Sequence, residues 1–151
     1  LEEQNHTGES MKKILLIIIG VGFLAFVFIQ LIPFGHEHVN PPTVSEPKWS
    51  SPEARALVKQ SCFQCHSNET DWTWYSNIAP ASWLIQFDVN EGRRKFNLSD
   101  WNRNPGELDE MVQVVNEGEM PPIQYTLFHP SARLNDQQKQ DLINALESSI
   151  K

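Results

Sequence analysis

The chain is poor in cysteine, in basic clusters and in strand patterning, and each shortage removes a class of function. Its two cysteines are too few for a disulfide scaffold, and even with a neighbouring histidine they supply at most three of the four ligands of a structural zinc site. No cysteine stands at the end of the apolar N-terminal stretch, so none is available there for a lipoprotein anchor. Lys and Arg number 12 against 19 Asp and Glu, a net charge of -7. Arg93, Arg94 and Lys95 form the one basic run beyond the apolar stretch and read as a solvated helix end. Without a basic block to displace counterions, a nucleic acid is excluded as the main partner. No segment alternates with a strand period as strongly as others show helical stripes, which argues against a thioredoxin-like dithiol fold. No nucleophile beside a base and no paired carboxylates stand out, so a hydrolase is not expected.

What the chain does have begins with MKKILLIIIGVGFLAFVFIQLIPF. From Ile14 to Phe34 its one strongly polar member is Gln30, and as a helix it would cross roughly 30 Å, the thickness of a bilayer core. The run is long and is not followed by a small-x-small cleavage site, which predicts an uncleaved signal anchor over residues 11–34, with residues 14–34 in lipid. Lys12 and Lys13 are expected to stay in the cytoplasm, placing the rest on the extracytoplasmic side. Residues 1–10 read as upstream sequence with no part in the fold. Residues 35–50, rich in proline, read as an extended tether in which His36 and His38 are solvated. The remaining residues, 51–151, suffice for one compact domain with a modest core, to which a large internal cofactor would contribute substantially.

Within that domain, Ser51, Pro52 and Glu53 predict a helix start: a hydroxyl cap, a first-turn proline and a carboxylate at the positive end. The helix is expected to run to about Ser61 and deliver the chain into CFQCH. A second helix is predicted from Pro80 to about Glu91, with Trp83, Leu84 and Phe87 at positions that share a face and Gly92 as a candidate terminator. A third, Glu107 to Glu117, carries the stripe Leu108, Met111, Val112, Val115 and ends at Gly118. Pro121 and Pro122 then predict an extended stretch around Met120. The last helix, Asp136 to Ser149, is predicted from Asn135 as cap with Gln138 three residues on, and buries Leu142, Ala145, Leu146 and Ile150.

The two cysteines sit in CFQCH, with His66 directly after Cys65. A dithiol of the thioredoxin kind lacks its preceding strand, a zinc site has at most three ligands with His66 too close in sequence to point easily at the same ion, and a plain disulfide leaves the histidine unexplained. A haem uses all three: two thiols on one turn of helix reach the two vinyl groups of a porphyrin edge as thioethers, and the histidine swings beneath the plane to bind iron. Met120 is the first candidate for the sixth position, because its thioether is a soft neutral ligand beside two stiffening prolines. His129 is the competitor, an open position the third alternative, and Met111, on a helical stripe, reads as packing. Trp72, Trp74, Tyr75 and Trp83 are candidates to wall the planar ligand, their polar edges reaching its propionates.

With CFQCH, WYSNIAPASWLI, DVNEGR, NEGEMPP and LFHPSARL in order before a final amphipathic helix, the stretch from Trp49 to Ile150 resembles the bacterial haem-binding domain family of small membrane-anchored monohaem proteins. The resemblance implies an all-α, cytochrome c-like helical fold after an N-terminal transmembrane helix, one haem c bound covalently through Cys62 and Cys65, and proximal His66. A helix leading into CxxCH, a late methionine followed by proline and a closing helix also resemble class I cytochromes c, and that likeness puts Met120 at the distal position. The expected function is a single-pass protein of the bacterial cytoplasmic membrane, its haem domain periplasmic, passing single electrons between membrane redox complexes or soluble carriers. It is expected not to be an enzyme. The alternatives are a peroxidase-like enzyme or ligand sensor with an open or labile distal site, and an interaction subunit whose haem is structural.

Overall fold

The computed structural model describes residues 2–150 and the side chains of residues 9–150; the first eight side chains of the 1–10 segment, and Lys151, lie outside them. Six α-helices are present: α1 (Glu2–Ile29), α2 (Pro52–His66), α3 (Ala81–Lys95), α4 (Leu108–Asn116), α5 (Ile123–Phe128) and α6 (Asp136–Ser149), with short 3-10 turns at Trp74–Asn77 and Pro130–Ala132. Among the described residues the one element of β pairing is an isolated parallel bridge between Ser45 and Asp100. The all-α expectation therefore holds. The chain divides into two units, one made of Leu1–Glu37 and Thr73–Gln86, the other of His38–Trp72 and Phe87–Lys151.

In the first unit α1 is exposed from Glu9 to Phe28, and Glu9–Ile29 is long and apolar enough to cross a membrane. The helix starts earlier and stops earlier than its composition suggests. It includes part of the 1–10 segment, and it ends at Ile29 rather than Phe34 because Pro33 cannot continue it. Gln30 turns away to bond the backbone of Ala79: its Nε2 donates to the carbonyl at 3.1 Å and its Oε1 accepts from the amide at 2.9 Å.

The second unit is built on α2 and α6. Ser51 caps α2 as predicted, its Oγ accepting from the Ala54 amide. The helix does not stop at Ser61 but runs through CFQCH to His66. It ends at Ser67, whose hydroxyl donates to the Phe63 carbonyl at 2.7 Å, and the His66 carbonyl accepts from Leu98 N–H at 2.8 Å. α6 forms between its predicted limits with the full Asn135/Gln138 capping box, and packs on α2 and α4. Val58, Phe63, Leu98, Met111, Val115, Leu142 and Leu146 make up most of the core, each large side chain contributing about 1.5–3 kcal/mol of burial.

Three expectations need correction, and the shared face of the second predicted helix is assigned its side. Residues 38–50 are not a free tether: Val44 N–H donates to Ser99, Trp101 N–H to Ser45, and Glu46 is bonded by both Arg55 and Trp49. Arg93 is no solvated helix end; it is half-buried and donates to Ser67, Val39, Asn40 and Thr70. Gly92 does not terminate α3, which continues to Lys95. Finally, α3 turns Leu84 and Phe87 outward and buries Ser82, Gln86 and Val89 instead.

Candidate haem site

Gly92 shows what does shape the site. A Cβ there would lie 2.5 Å from the Cys65 carbonyl oxygen and 3.0 Å from the Cys65 Cβ. The residue is a glycine because α3 passes hard against the CFQCH turn of α2. Both thiols are free. Burial pushes Cys62 and Cys65 each up to about 12; the neighbouring thiol adds to the effect at Cys62, and the Asp88 carboxylate adds to it at Cys65.

His66, the last residue of α2, is 9% exposed. Its ring stacks on Phe96, centroids 3.9 Å apart and planes 13° from parallel. Burial lowers its pKa to about 4, against a weaker opposing pull from the backbone of Phe96 and Gly92. The imidazole is therefore neutral at physiological pH, with a lone pair free for a metal. Its Nδ1 is buried and has no hydrogen-bond partner, as is the Oγ of Ser61 one turn before Cys65.

Two cavities, of about 300 and 230 Å³, open around this end of α2. Ser61, Cys62, His66, Lys95 and Met120 line both. The larger has an apolar wall that includes Val58, Leu98, Val114, Val115 and Leu146; the smaller holds Cys65, Asp88, Gly92 and Tyr125. Met120 reaches this place through the end of α4. Gly118 takes φ +76°, a conformation that favours glycine. The Glu119 and Met120 amides then both donate to the Val114 carbonyl, at 2.9 and 3.1 Å. Met120 remains 39% exposed.

Of the other candidates, Met111 alone lines either cavity. Met111 is core, 5% exposed, although it also touches the larger cavity. His129 stacks on Tyr125 at 4.2 Å with its Nδ1 3.2 Å from the Tyr125 carbonyl, and lines neither cavity. Trp72 stacks on His38 at 4.6 Å and also lines neither. Trp74, Tyr75 and Trp83 belong to the first unit. Phe96 and Ser61 were missed from sequence, because a ring partner 30 residues away carries no local signal.

A family model described as a haem-binding domain matches residues 24–148. The chain belongs to the haem-binding domain family. It is also 24% identical over 95 residues to the cytochrome c peroxidase Ccp of Escherichia coli, a match covering 58% of this chain and 20% of that protein; the chain thus spans about a fifth of the relative's length. No solved structure gives a significant match. The residues fit the cofactor: two free thiols and a neutral imidazole on one helix end, an apolar wall, and buried polar atoms without partners. In this haem-binding domain, haem c is attached covalently through Cys62 and Cys65, and bound iron supplies one-electron redox chemistry.

Proposed function

We propose that this haem-binding domain is a peroxidase-like haem protein in which Met120 closes the distal side as a labile ligand. The observation that carries the reading is that Met120 lines the same two cavities as His66 while staying 39% exposed on a loop whose bonds to α4 are made by its backbone alone. A thioether held in this way competes for a coordination position without sealing it. The named activity of the Escherichia coli relative favours this over a plain electron carrier.

The parts of the chain have distinct tasks. Cys62 and Cys65 fix one edge of the cofactor, and α3 at Gly92 keeps that turn in place. His66 offers a neutral nitrogen whose ring plane is set by Phe96. The apolar wall excludes water and favours the less charged state of the centre. Glu107, Glu110, Glu119 and Lys95 lie around the larger cavity and give its rim a polar, mostly acidic lining.

A second reading, the single-electron carrier, is favoured by the placement of Met120 itself. If the thioether stays bound, the site exchanges electrons and nothing else. Partners would then be membrane redox complexes or soluble carriers, with a basic face complementing the net charge of -7. An extracytoplasmic haem domain on a single membrane helix suits both readings.

The test is peroxide turnover and carbon monoxide binding by the purified holoprotein and by Met120→Ala. Labile ligation predicts that the wild type binds carbon monoxide when reduced and oxidises a reducing dye with hydrogen peroxide, both several-fold faster in Met120→Ala. A wild type that is low-spin and inert to both reagents refutes the peroxidase-like reading and leaves the carrier.

A further inference from the structure

The segment Thr73–Gln86 has a surface that is inside out for a protein in water. Ser76, Ser82 and Gln86 are buried, at 1%, 0% and 6% exposure. Trp74, Ile78 and Leu84 face outward at 75%, 37% and 46%. Between Thr73 and Gln86, TWYSNIAPASWLIQ contains no charged residue. Asn77 is exposed and Ala79 buried, but a surface that presents Trp74, Ile78 and Leu84, keeps Ser76, Ser82 and Gln86 inside and carries no charge has the composition of one that faces lipid.

Its attachment says which surface that is. Gln30, immediately beyond the apolar span, grips both backbone groups of Ala79 and also donates to the Phe26 carbonyl at 2.9 Å. Five residues later Gly35, at φ +89°, lies so close to α3 that a Cβ would come within 2.6 Å of the Ser82 carbonyl oxygen. The two fixings hold the segment at the end of α1. The span Glu9–Ile29 rises about 31 Å as a helix, the thickness of the hydrocarbon core. Gln30 is therefore at the edge of that core, and so is the backbone it holds.

We infer that Thr73–Gln86 is a membrane seat: Trp74, Ile78 and Leu84 enter the interfacial layer of the bilayer that α1 crosses, and the Gln30–Ala79 amide pair fixes their depth. The inference rests on α1 spanning a membrane. An indole at the edge of an apolar span sits where an amphipathic ring is favoured, its body in the acyl boundary and its N–H among headgroups. Leu31 and Phe34, at 74% and 46% exposure, extend the same apolar surface from the α1 side. The partner is lipid, with no role for a specific headgroup.

The experiment uses the full-length holoprotein in phosphatidylcholine–phosphatidylglycerol vesicles. Thioether bonds occupy Cys62 and Cys65, so a cysteine introduced elsewhere is the reactive thiol. Benzophenone maleimide is attached at Trp74→Cys, Leu84→Cys, Val21→Cys in α1 and Gln140→Cys on the exposed side of α6, and intact mass is read after irradiation. Phospholipid adducts are expected at positions 74, 84 and 21 and not at 140. Adding Gln30→Leu, which keeps the span apolar but removes the amide, is expected to reduce the adduct at 74 while that at 21 persists. An adduct at 21 with none at 74 and 84 overturns the seat and leaves the spanning helix standing. No adduct at 21 overturns the spanning helix, and the seat with it. Protein–protein adducts at 74 and 84 identify a protein cover, and an unchanged yield with Gln30→Leu removes the depth-setting role; either result overturns the inference as stated.

Discussion

Gly92→Ala sets helix propensity against packing, and the two give opposite signs. In the interior of a helix, alanine is favoured over glycine by about 1 kcal/mol, so α3 considered alone would be strengthened. The packing opposes this. The added methyl would lie 2.5 Å from the Cys65 carbonyl oxygen and 2.8 Å from its carbon. Both are backbone atoms of α2 and cannot rotate aside as a side-chain tip can. Relief requires α3 to move off α2, and overpacking of this kind costs about 1–3 kcal/mol, more when backbone is the obstacle. Taking a cost of about 3 against a gain of about 1, the net loss is roughly 2 kcal/mol, a fall in Tm of about 10 °C for a domain of this size. The assay is thermal unfolding of the detergent-solubilised holoprotein followed by helical circular dichroism. Gly20→Ala serves as control, since nothing lies within 4 Å of a Cβ there. Because the displaced atoms belong to Cys65, the variant is also expected to yield a larger fraction of chains lacking haem by intact mass. A midpoint for Gly92→Ala at or above wild type would refute the close contact and with it the argument that α3 holds the attachment turn.

Glu46→Gln tests the packed 38–50 segment. Arg55, bonded at 2.6 and 2.7 Å, lowers the Glu46 pKa below 4.5 despite partial burial. A depressed folded-state value stabilises above the unfolded value and is lost as the pH falls through the folded one. The variant should thus be less stable by about 1 kcal/mol at pH 7, with the difference shrinking on acidification below about pH 4.5, as read from unfolding midpoints across pH. Asn135→Ala removes the oxygen that accepts from the Gln138 amide and should cost about 1 kcal/mol in the same assay; Asn135→Asp should cost far less.

What was legible in the sequence is what local chemistry decides. Asn135 and Gln138 determine the start of α6 through bonds three residues apart, so its limits could be read directly. Ser51 and Pro52 did the same for α2, and Gly118 for the end of α4. CFQCH disclosed its cofactor because covalent attachment needs both thiols and the histidine within one short stretch. The errors arose where distant residues decide. The short α5 carried no expectation from sequence: Pro122 serves as its N-cap, since proline forbids helix before itself and not after. The proline-rich 38–50 stretch had no helical or strand period to show that Ser99, Asp100 and Arg55 would hold it.

The face of α3 shows most clearly what periodicity leaves open. Trp83, Leu84 and Phe87 share a helical face, and in water an apolar face turns inward. That inference assumes water outside. Here Ser82, Gln86 and Val89 are buried, Trp83 is half-buried, and Leu84 and Phe87 are exposed, so the apolar positions of this helix are split between inside and outside. Periodicity locates a boundary between two media without saying which medium is which. The uncharged stretch from Thr73 to Gln86 was the available clue, and it gained meaning only once Gln30 was seen to hold Ala79 at the end of an apolar span.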